Sequence, residues 1–146
     1  MSARWEPYRE PLSRTLLRTI AIAVAIGIAL SVGRGGGGIA RLPMNVLLAL
    51  WPAFGGHWIE LGFLNWLRPR LPAARAVQIA ARLATWFAGG IVLGFPMKLT
   101  ARALDRPDAL RGLAWPLAGL GFVGIELMTH AVLRWRGRPN FYEGRG

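Results

Sequence analysis

Two acidic side chains stand inside apolar runs. Glu60 lies in IELGFLNWLRPR, residues 59–70, and Glu126 in IELMTHAVLRWR, residues 125–136, each eight residues before an arginine, Arg68 or Arg134. Carboxylates are rare in such surroundings because hydrocarbon disfavours charge, so a pair of them at matching positions is a candidate site for handling protons or cations. His57 precedes Glu60 by three residues and His130 follows Glu126 by four. Both intervals put histidine and carboxylate on one helix face. Histidine changes charge near neutrality and can relay a proton, so His57, Glu60, Glu126 and His130 form an expected ladder for a proton or cation.

Other chemistries fit the same residues less well. Two histidines and two glutamates can satisfy zinc, iron or manganese, so a divalent metal and a metal-dependent membrane enzyme stay open as alternatives. The di-iron pattern needs more carboxylates and the order Glu-x-x-His, whereas this chain has His-x-x-Glu and Glu-x-x-x-His. Haem is disfavoured, since the two histidines differ by seven residues in their distance from the terminal arginines, or ~10 Å of helix. Hydrolysis has little to stand on: Ser2, Ser13 and Ser31 all lie far from either histidine. Enzymatic activity is therefore not the leading expectation. The absence of cysteine removes disulfides, thiolate ligands and thiol nucleophiles.

The elements that must position these groups are membrane spans. Of the 146 residues 53% are hydrophobic and the mean hydropathy is +0.36, above the range of soluble domains. The excess falls in four blocks, residues 12–32, 44–67, 76–97 and 112–135, each near the ~20 residues that cross a ~30 Å hydrocarbon core. The expected fold is all-α, a single transmembrane domain over residues 1–146 built as a four-helix bundle. A cleaved signal peptide is the weaker reading of the first block, because its loss would leave three spans.

The net charge of +11 does not describe a nucleic-acid surface, since the bases cluster at the ends of the apolar blocks. With the N-terminus inside, Arg4, Arg9, Arg14, Arg18, Arg68, Arg70, Arg75, Arg82, Arg134, Arg136, Arg138 and Arg145 lie on the cytoplasmic side. That is twelve of the eighteen basic residues. Both termini are then cytoplasmic, in a bacterial-type inner membrane, with the arginines facing anionic headgroups. No nucleic-acid partner is expected; a homo-oligomer or a larger membrane complex is.

Between the spans, GRGGGG, residues 33–38, reads as a flexible outer turn, and residues 98–112 as a segment along the outer surface. Pro43 can open the second helix and Pro52 should kink it. Ala21, Ala25 and Ala29, and likewise Ala80, Ala84 and Ala88, recur every fourth residue, and Gly90 with Gly94 forms a GxxxG pair. Transmembrane helices associate by close packing, so these stripes are the expected contact faces of the first and third helices. Trp66, Trp115 and Trp135 suit the membrane interfaces, while Trp51, Trp58 and Trp86 are expected to fill space. Asn65 and Thr129 are expected to bond across helices.

The halves of the chain echo each other. A shift of 64 places Arg18 on Arg82, Trp51 on Trp115 and Pro52 on Pro116; a shift of 66 places Ile59-Glu60-Leu61 on Ile125-Glu126-Leu127. Duplication of a two-helix hairpin, residues 12–70 and 76–138, gives two copies of the same orientation and a pseudo-two-fold axis along the membrane normal. Each carboxylate then sits ~12 Å of helix from its terminal arginine, so the two lie level. The opposing reading starts from Arg18 and Arg82, which stand near the same depth. Each can neutralise one glutamate, in which case the charges are packing glue in a structural or assembly subunit. The leading expectation is a transporter- or channel-like protein handling protons or cations.

Overall fold

The computed structural model describes residues 11–32, 37–105 and 115–143. It contains four helices, α1 (Leu12–Val32), α2 (Leu42–Gly62), α3 (Arg75–Ala103) and α4 (Trp115–Trp135), each long and apolar enough to cross a membrane. The all-α, four-span expectation is met, with bounds close to those read from hydropathy. One difference stands out: α3 runs on past residue 97 to Ala103. Met97 and Ala101 are buried there against Leu48 of α2, with Leu104 beside them, so packing carries the helix through residues whose charge suggested a surface segment. Asp105 closes it in a left-handed conformation. The expectations placed on residues 1–10, 33–36, 106–114 and 144–146 lie outside the described residues.

Two prolines interrupt the long helices. Pro43 falls in the first turn of α2, where a missing N–H has no helical partner to lose, whereas Pro52 and Pro96 sit inside α2 and α3 and each remove one backbone bond. Beyond Gly62, α2 widens into a single π-turn, Phe63–Leu67, then tightens into a 3-10 turn, Arg68–Arg70, before the short link to α3. The π-turn begins three residues after Glu60, and its first residue, Phe63, is fully buried.

Packing is by stripes of every fourth residue, but not by all those anticipated. On α1 the buried stripe is Thr19, Ala23, Gly27 and Ser31. A side-chain carbon on Gly27 would come within 2.9 Å of the Val46 backbone, so the glycine is what lets α1 and α2 approach. Asn45 of α2 donates to Ser31 Oγ at 2.8 Å, and Ser31 donates in turn to the Gly27 carbonyl. Gly90 and Gly94 are buried as expected, Gly90 lying against the Ala118 carbonyl of α4. Ala21, Ala25, Ala29, Ala80, Ala84 and Ala88 are exposed instead. Lipid is as apolar as leucine, so hydrophobicity does not choose among parallel small-residue stripes.

The helices contact one another in succession, α1 on α2, α2 on α3 and α3 on α4; among the described residues α4 and α1 make no contact of similar extent. Trp51 Nε1 donates to Thr100 Oγ1 at 2.8 Å across α2 and α3. Trp86 fills space as expected, whereas Trp58, like Trp66 and Trp135, is exposed. Thr129 donates to Ile125 of its own helix rather than across to another.

Candidate functional site

The stripes bring four ionisable groups together. Arg82 lies on the buried face of α3, Glu60 on that of α2, and Glu126 and His130 one turn apart on that of α4. Arg82 is 1% exposed and Glu126 2%. Arg82 Nη2 donates to Glu60 Oε1 at 2.7 Å and stands equally close to Oε2, while Arg82 Nε donates to Glu126 Oε1. One guanidinium thus bridges carboxylates from the two helices that flank it. Its planar fork suits this, since its donors point in fixed, divergent directions.

His130 completes the polar side. Its Nε2 lies 3.1 Å from Glu126 Oε1 and 3.2 Å from Arg82 Nη2. The Phe141 N–H points at Nδ1 from 3.4 Å. Tyr142 O–H donates to the same Glu126 oxygen at 3.1 Å. Aromatic rings flank the guanidinium, with the Phe63 centroid 5.4 Å and the Phe141 centroid 4.5 Å from its carbon. A cation held against ring faces in a water-poor site gains more from them than one in solvent.

Tyr142 belongs to a 3-10 turn, Phe141–Glu143, that folds back after α4. Burial, and after it the negative charge of Glu126, hold the Tyr142 phenol above its usual range. It therefore stays a hydrogen-bond donor at neutral pH.

The expected ladder is divided. Glu60, Glu126 and His130 meet, with Arg82 between them, but among the described residues His57 forms no bond to either carboxylate. It is half-buried on α2. Arg18 itself is exposed on α1, because α1 rests on α2 through the neighbouring stripe that starts at Thr19. Two separate Arg–Glu pairs are thus replaced by a single shared arginine. As a metal site the four candidates also fall short: among the described residues no three histidine or acidic side chains are placed to hold an ion, and the guanidinium fills the position between the carboxylates.

Phe63, Phe141, Tyr142 and Arg75, whose guanidinium donates to the Tyr142 carbonyl, were not anticipated. A signal was there in Pro139-Asn140, a turn-forming pair, followed by two aromatics in an otherwise polar tail. Compared with protein-family models, curated proteins and solved structures, the chain matches none.

Proposed function

We propose that this is a multi-pass protein of the cytoplasmic membrane, with both termini inside, whose Arg82-centred cluster takes up and releases a proton in a transporter-like cycle. One observation carries the proposal. Two buried carboxylates share one guanidinium, so their two negative charges meet a single arginine. Against Arg82 the pair is one positive charge short, and burial in a low-dielectric interior favours filling that deficit with a proton shared by the carboxylates. An open cation channel is the less suitable form, since Arg82 occupies the level that a passing metal ion would need.

The duplication of residues 12–70 in 76–138 is part of the same proposal: it accounts for two carboxylates, each eight residues from an arginine, reaching the same guanidinium from α2 and α4. The arginine is shared because Arg18, the counterpart of Arg82, is exposed on α1. The direct bonds from Arg82 to both neighbours favour a second reading, in which the cluster only glues α2, α3 and α4 in a structural or assembly subunit.

Vesicles reconstituted with the purified protein separate the two. Under an imposed pH gradient, proton flux above that of empty vesicles, lost in Glu60→Gln and in Glu126→Gln, is the result expected. Flux equal to empty vesicles, or unchanged in both variants, overturns proton handling and leaves the packing reading.

A further inference from the structure

The chain does not simply end after α4. Gly137, left-handed at φ 64°, donates to the Arg134 carbonyl at 2.9 Å, and Arg138 N–H donates to the Leu133 carbonyl at 2.8 Å. This pair of bonds stops a helix and reverses the chain, and Pro139 just beyond prevents the helix from resuming. Asn140, buried, accepts the Tyr142 N–H at 3.0 Å and so shapes the turn that follows. The returning segment is laid against the cluster: the Phe141 ring over Arg82 and edge-on to Phe63, the Tyr142 ring edge-on to His130, and the Tyr142 hydroxyl on Glu126. Arg75, the first residue of α3, and Arg68, in the 3-10 turn after α2, hold it from the other side through the Tyr142 carbonyl and the Phe141 ring.

We infer that residues 139–143 are a cap that closes the buried carboxylates off from the end of the bundle carrying the α2–α3 link, and that its release admits water to them. Its geometry gives the reason. His130 lies in the last two turns of α4 and Glu126 one turn further in, at mid-helix, yet both are buried, and among the described residues Phe141 and Tyr142 reach them from beyond the end of the helix. The cap's anchors are the charged groups it covers. Whatever changes the charge on Glu126 or moves Arg82 therefore also loosens the cap, while a bundle in which the cap stays shut keeps its carboxylates from exchanging with solvent. A short turn fastened to the bundle by few bonds opens more easily than the helices themselves. The inference goes beyond proton handling and does not depend on flux.

Carboxylate labelling tests it. The full-length protein in detergent is treated with a water-soluble carbodiimide and an amine, and modification is read at each acidic residue by mass spectrometry, with exposed Asp105 as the internal reference. Glu60 and Glu126 should label far more slowly than Asp105. In Phe141→Ala/Tyr142→Ala they should label about tenfold faster or more, with helix content unchanged. Gly137→Val strains the reversal without touching a cluster group, and should move labelling in the same direction even if the double variant fails to fold. Unchanged labelling of both glutamates in the folded variants overturns the cap. Faster labelling in a protein that carries no proton flux supports the cap and removes the transport reading alone.

Discussion

Glu126 is the more heavily bonded of the two carboxylates. Arg82, His130 and Tyr142 all reach its Oε1, whereas Glu60 has Arg82. The two carboxylates are thus alike in sequence and unlike in setting. Tyr142 offers a pH signature of this asymmetry. Its phenol is held above the ordinary value of about 10 by burial and by Glu126, so the folded state keeps a proton that the unfolded state loses first. That contribution to stability is complete below pH ~10 and is lost as pH rises from there through the raised value. Thermal melts at rising alkaline pH should show this loss in wild type and a smaller one in Tyr142→Phe; equal curves would place the hydroxyl outside the cluster. Sequence disclosed Glu60, Glu126, His130 and Arg82 because ionisable groups are conspicuous in hydrocarbon. Phe63 gave no such signal, since an aromatic in an apolar run looks the same whether it faces lipid or a guanidinium.

At the level of the helices, contact faces are set by fit. Gly27 against Val46 and Gly90 against the Ala118 carbonyl mark where α1 meets α2 and α3 meets α4. Ala25 and Ala84, on stripes of the same period, face outward. Gly27→Leu should lower the melting temperature by the equivalent of ~1–3 kcal/mol, because the added atoms collide with backbone. Ala25→Leu should leave it within ~0.5 kcal/mol. The reverse ranking, read from thermal unfolding in detergent, would show that α1 packs on its alanine face. This is also the level at which sequence was least informative. Spans were legible to within a few residues in α1, α2 and α4, because length and hydropathy answer to bilayer thickness. Faces were not, because a membrane supplies no hydrophobic gradient from outside to inside and adjacent small-residue stripes are equivalent until shapes are known. The extension of α3 to Ala103 was hidden for a related reason: its turns are charged in sequence and buried along one edge only.

Across the described residues, α2, α3 and α4 are the set tied by the Arg82 charge cluster, while α1 packs on α2. Arg82 sits in the middle of that set, and with its neighbours forms the polar centre of a chain otherwise joined by small residues and aromatics. Removing one partner of a buried ion pair commonly costs ~3–5 kcal/mol because the survivor is left uncompensated, whereas removing all partners together is far cheaper. A mutant cycle on thermal unfolding applies this to the central claim, that one arginine bridges Glu60 and Glu126. Arg82→Met in the wild-type background should cost ~3–5 kcal/mol, since two carboxylates then face each other alone. Introduced into Glu60→Gln/Glu126→Gln, the same substitution should cost ~1 kcal/mol or less. An equal loss of stability in both backgrounds would mean that Arg82 is not held by these two carboxylates, and would contradict the account.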